Sequence, residues 1–139
     1  AMQLNGFVLS HLVPHAGWMD SYDQWTRHAT ATAPERWFFA VEPFMRREEP
    51  SLPGVRLPSS WDVTSDSIAA RVAEVCRAHE LVLLKSTLPA APEGSVPVAH
   101  AVATQLVDDF FPQCAASLPR IRAVNLRDPE CAEVRLTVG

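Results

Sequence analysis

The sequence predicts an α/β fold, a three-layer αβα sandwich built around a mostly parallel sheet, and three observations carry that prediction. First, apolar runs of strand length alternate with segments of helical period along the 139 residues. Second, the stretch from Val63 to Leu84 reads as a capped amphipathic helix running straight into a short apolar strand. That is the αβ half of a βαβ unit, which requires neighbouring parallel strands. Third, the length suits one hydrophobic core, so residues 1–139 are expected to form a single domain.

The elements follow in order. Residues 2–13 place Leu4, Phe7, Val8 and Leu12 at helical spacing, and Pro14 stops the helix. Residues 20–30, with Tyr22 and Trp25, form a weaker helix. Residues 36–41 are rich in aromatics and predict a buried strand. Prolines gather in 43–58 and 89–97, which predicts irregular connections there and a loop from Pro43 to Ser60. Val63-Thr64-Ser65-Asp66 supplies capping residues, and Ile68, Val72, Val75 and Cys76 share one helical face over 67–79. Leu81 to Leu84 is the buried strand that follows. Residues 99–107 and 109–118 read as helices and 121–126 as a second buried strand. Asp128-Pro129, an N-cap followed by proline, predicts a short helix at 129–134. The alternating Val134 to Val138 predicts an edge strand.

Composition excludes several classes. A net charge of -4, with no basic run longer than Arg46-Arg47, offers no footprint for nucleic acid. The longest apolar runs fall far short of the ~20 residues that cross a bilayer. Three scattered cysteines, Cys76, Cys114 and Cys131, make neither a disulfide framework nor a zinc motif, and with no signal segment the expected location is cytoplasmic. His11 and His15 are four apart, but Pro14 breaks the helix that would align them on a metal. Asp108-Asp109, followed by Phe110-Phe111-Pro112, could bind a cation but reads more readily as a solvated acidic helix start. No Gly-x-Ser-x-Gly elbow appears.

In a parallel sheet, ligands bind beyond the carboxyl ends of the strands. Two strand ends carry suitable groups: Lys85-Ser86-Thr87, and Asn125-Leu126-Arg127-Asp128. The helix start near Asp66 is a third candidate, since free N–H groups there favour anions.

The block from Trp61 to Ala70, about ten helical residues, and then Leu81-Val82-Leu83-Leu84-Lys85-Ser86 resembles the central part of the amino-acid kinase family. That family includes acetylglutamate, glutamate, aspartate and uridylate kinases. The likeness is greatest to its small general aspartate/glutamate/uridylate kinases, some of which act in methanofuran-type cofactor synthesis. The resemblance implies that Asp66 is the catalytic aspartate that orients lysines between the two substrates. It further implies that Lys85, Ser86 and Thr87, with Asn125 on the neighbouring strand, contact the nucleotide. ATP and Mg²⁺ are the implied cofactors, an unidentified small molecule is the acceptor, and a homodimer is the implied assembly.

The chain departs from the family pattern at essential places. The Lys-x-Gly-Gly-Ser strand and the glycine-rich loops are absent, and Leu88 to Gly94 stands where Val-Asp-Gly-Val-Tyr is expected. Lys85 is the sole lysine. Either the missing units lie upstream and pair with this portion, or the chain is a non-catalytic binding or assembly subunit. In both cases the chain alone is expected to transfer no phosphate.

Overall fold

The computed structural model describes residues 2–28, 36–60 and 62–139. The protein is a mixed α/β structure that divides into two compact units, residues 1–53 and 54–139.

In the first unit, helix α1 (Met2–Leu12) precedes strand β1 (Ala16–Met19), helix α2 (Tyr22–His28), strand β2 (Arg36–Phe39) and helix α3 (Val41–Arg47). β1 and β2 pair in parallel, Ala16 beside Arg36 and Met19 beside Phe39. β1 was not legible in the sequence, because four residues beginning Ala-Gly carry too little pattern. Its Gly17 is required by close approach. A Cβ there would lie 2.8 Å from Cη2 of Trp37 and closer still to other atoms of the ring. β2 is exposed at Arg36 and half-buried from Trp37 to Phe39 rather than buried. The core of the unit is Met19, Ala40 and Phe44, with Phe39 edge-on to Phe44 at 5.3 Å. The expected loop from Pro43 begins instead inside α3. Pro43 falls in the first helical turn, where its missing N–H would have had no intrahelical partner.

In the second unit, helix α4 (Ser65–Val75) is followed by strand β3 (Leu81–Lys85), strand β4 (Ser95–Pro97), helices α5 (Val98–Ala103) and α6 (Phe111–Ala115), and strands β5 (Ile121–Asn125) and β6 (Glu133–Thr137). The strand order is β3-β5-β6-β4. Parallel pairs, β3 with β5 and β4 with β6, flank an antiparallel pair of β5 with β6. The expected edge strand is therefore an inner strand, and the sheet is mixed. The expected helix at 129–134 is absent. Asp128 Oδ1 accepts from the Glu130 N–H at 2.9 Å, but this bond closes a turn rather than starting a helix: Cys131 adopts φ 51° and the chain turns into β6.

Paired residues of a sheet share a face. Leu81, Leu83, Ile121, Ala123, Val134, Leu136 and Val96 are all buried and in register, so one face is the core face. α4 packs on β3, α5 on β4 and β6, and α6 against α4. The other face is open, with Val82 and Leu84 exposed. β3 is thus buried on one face only. α4 likewise differs from expectation: its buried residues are Ser67, Ala70, Arg71 and Ala73, while Ile68, Val72 and Val75 are half-buried. Small alanines let the helix lie close to the sheet. Arg71 is fully buried against Glu74 at 2.6 Å. Gly54, at φ 105°, passes them where a Cβ would sit 2.5 Å from Arg71 Nη1.

α4 ends without glycine. Arg77 takes φ 51°, its N–H bonds to Glu74 O at 3.0 Å, and the Ala78 N–H reaches back to Ala73 O at 2.8 Å. Those two bonds form a Schellman motif with arginine at the left-handed position.

Candidate functional site at the carboxyl edge of β3 and β5

A helix that precedes and packs antiparallel to a strand starts at that strand's carboxyl end. That geometry places the first turn of α4 beside the end of β3, and it brings Asp66 and Lys85 together. Lys85 Nζ donates to Asp66 Oδ2 at 2.7 Å, with both side chains largely shielded from solvent. Lys85 lies on the core face of β3, in register with Asn125 of β5. Ser86 and Thr87 follow the strand and are exposed. Asn125 is committed locally, its Oδ1 accepting from the Arg127 N–H at 2.9 Å. Of the five sequence-predicted residues, Asp66 and Lys85 are thus in contact, Asn125 is the register partner of Lys85, and Ser86 and Thr87 follow Lys85 along the chain.

The residue that organises this edge is Asp108, which the sequence marked only as an acidic helix start. Oδ2 accepts from Thr64 N at 3.0 Å, Thr64 Oγ1 at 2.7 Å and Ser67 N at 3.1 Å. Oδ1 accepts from Phe110 N at 3.1 Å, Phe111 N at 3.0 Å and the Ser67 hydroxyl. One carboxylate therefore caps α4 and α6 together. Partial burial pushes its carboxyl up, but the bonds from Ser67 and Thr64 more than offset this and hold it below the usual carboxylate range. Thr64 also caps α4 directly, its Oγ1 accepting from Asp66 N at 3.4 Å.

The edge can present an ammonium and two hydroxyls to an anion, which suits a phosphate group. It does not suit a metal held by the protein. Asp66 is paired with Lys85, Asp108 has six donors, and no cluster of three or more His, Cys, Asp or Glu ligands occurs among the described residues. His11 bonds to its own helix, Nδ1 lying 2.9 Å from Phe7 O.

Concave surface also occurs away from this edge. Two grooves, of about 480 and 410 Å³, run along Arg120, Arg135 and Thr137 rather than past Lys85. Around them Arg122 bridges Glu80, at 2.8 Å, and Glu133, while Arg120 meets Glu80 at 3.0 Å. The Arg122 hydrogen bond lowers the Glu80 carboxyl, and the Glu80 and Glu133 bonds raise the Arg122 guanidinium. Among the described residues no helix is long and apolar enough to cross a membrane.

No protein-family model, no curated protein and no solved structure matches the chain.

Proposed function

We propose that residues 54–139 serve as the nucleotide-side portion of an amino-acid-kinase-type phosphotransferase, binding a nucleotide phosphate at the carboxyl edge of β3 and β5. The observation that supports this reading is the Asp66–Lys85 pair, held at 2.7 Å on that edge beside Asn125. Lys85 neutralises the phosphate, and the Ser86 and Thr87 hydroxyls donate to its oxygens. Asp66 holds the ammonium in place in the free protein and shares it with the arriving anion. Mg²⁺ enters, on this reading, as the counter-ion of ATP rather than as an ion resident on the protein. In a three-layer sandwich of this family, the second helical layer would lie on the open face of the four-stranded sheet.

The alternative is a non-catalytic binding or assembly subunit. It is favoured by one specific observation: the chain's sole lysine is already neutralised by Asp66, and no glycine loop is present to cradle a transferred phosphate. In both readings the chain alone turns over no ATP.

Titration calorimetry with Mg-ATP is the test. One ammonium–phosphate contact contributes about 1.5–3 kcal/mol, so binding is weak and Lys85→Ala weakens it at least tenfold. Asp66→Asn keeps the shape and removes the competing charge, so it tightens binding. Equal affinity in the wild type and both variants would overturn the reading. Phosphate transfer to amino-acid or nucleotide acceptors above a no-protein control would overturn the claim of inactivity.

A further inference from the structure

The register of β3 with β5 assigns each residue of β3 a side. Leu81 N–H bonds to Arg120 O at 2.9 Å and Leu126 N–H to Lys85 O at 2.9 Å, so Leu81, Leu83 and Lys85 turn their backbone groups toward β5. Val82 and Leu84 therefore turn theirs outward, and β3 is an outer strand of the sheet. Among the described residues, no strand or loop accepts from or donates to those outward groups. The same two residues point their side chains to the open face, where Val82 is 37% and Leu84 62% exposed. An apolar outer strand with no proline and no charge before Lys85 is a template for another strand.

We infer that two copies of the protein pair through β3, antiparallel, about a two-fold axis at Leu83. The occupant follows from the strand's own symmetry. With Leu83 opposite its copy, Val82 lies opposite Leu84 of the second copy, and Leu84 opposite its Val82. Those two pairs exchange four N–H···O=C bonds and satisfy every outward group of both strands. They also lay Val82 against Leu84 twice on the open face, covering the exposed aliphatic surface. Charge permits this register, since Leu81 falls opposite Lys85 and Glu80 opposite Ser86, with no like charges facing. The result is a continuous eight-stranded sheet. Five residues per strand bury well under the ~800 Å² per partner of a standard interface, so the dimer is weak and concentration-dependent. The inference does not depend on nucleotide binding.

Sedimentation velocity over a concentration series up to about millimolar tests it. Val82→Pro deletes an outward N–H and leaves every bond to β5 in place. Leu84→Lys puts a charge at the exposed position. Circular dichroism confirms that each variant folds. The wild type shifts from a 15.3 kDa species toward twice that mass, and each variant weakens association at least tenfold. Amide exchange in the wild type slows at Val82 and Leu84 as concentration rises. A wild type that stays at 15.3 kDa throughout overturns the inference, as does a dimer equally strong in both variants. If the wild type does not self-associate but an added extended peptide protects the Val82 and Leu84 amides, the edge takes a foreign strand and the second copy is refuted.

Discussion

Replacing Asp108 by asparagine changes one oxygen to NH₂ without changing the shape of the side chain. Six donors converge on this carboxylate, from Thr64, Ser67, Phe110 and Phe111, and the amide turns a donor of its own toward several of them. A hydrogen bond to a charged group contributes about 1.5–3 kcal/mol, and an N-cap about 1 kcal/mol. Bonds that share one charge are not additive, so the expected loss is about 3 kcal/mol. In a domain of this size that lowers Tm by roughly 12–24 °C. The acid limb adds a second reading. The Asp108 carboxyl titrates below its unfolded value of ~3.9, so its contribution is complete above that pH and is lost as pH falls through the folded value. Wild-type stability should therefore drop steeply below about pH 4, and the asparagine variant should show a flatter profile there. Thermal and urea melts at neutral and acid pH measure both, with amide exchange at Ser67 and Phe111 reporting the two caps. A loss under about 0.5 kcal/mol, or an unchanged acid slope, would refute the reasoning.

Two further substitutions test the backbone. Gly17→Ala drives a methyl into the Trp37 ring and should cost about 1–3 kcal/mol in a urea melt, with tryptophan fluorescence shifting as the ring is displaced. Arg77→Gly removes a side chain from the left-handed position that ends α4, and should raise stability by about 1 kcal/mol; a destabilised variant would mean that the arginine side chain itself matters more than the turn.

What the sequence disclosed depended on the range of each interaction. α4, β3 and β5 were legible because a cap, a helical period and compact apolar runs are local patterns. The meeting of Asp66 with Lys85 was legible at one remove, since a helix start and the following strand end must share an edge. α3 was hidden because Pro43 suggested a breaker, and only its place in the first turn makes it harmless. β4 was hidden because three residues, one of them proline, carry no period. The position of β6 was misread, since alternation of Val134 and Leu136 reports one buried face and nothing about neighbours on either side. Asp108 was underrated for a similar reason. Its partners Thr64 and Ser67 lie far earlier in the chain, and no spacing rule links them.

The central place of β6 has a consequence for the order in which the sheet is assembled. β6 follows β5 after a short turn, whereas its other neighbour, β4, was synthesised much earlier, as β3 was relative to β5. Closing a short loop costs less entropy than closing a long one, so the hairpin of β5 and β6 is the natural nucleus. The sheet then grows outward from its middle, β3 docking on one side and β4 on the other. As the chain leaves the ribosome, β3 and β4 have no mate until residues 121–137 emerge. Through that interval the most apolar strand waits with both edges bare, whereas in the folded sheet β5 covers one of them, so exposure to aggregation is greater during synthesis than after folding.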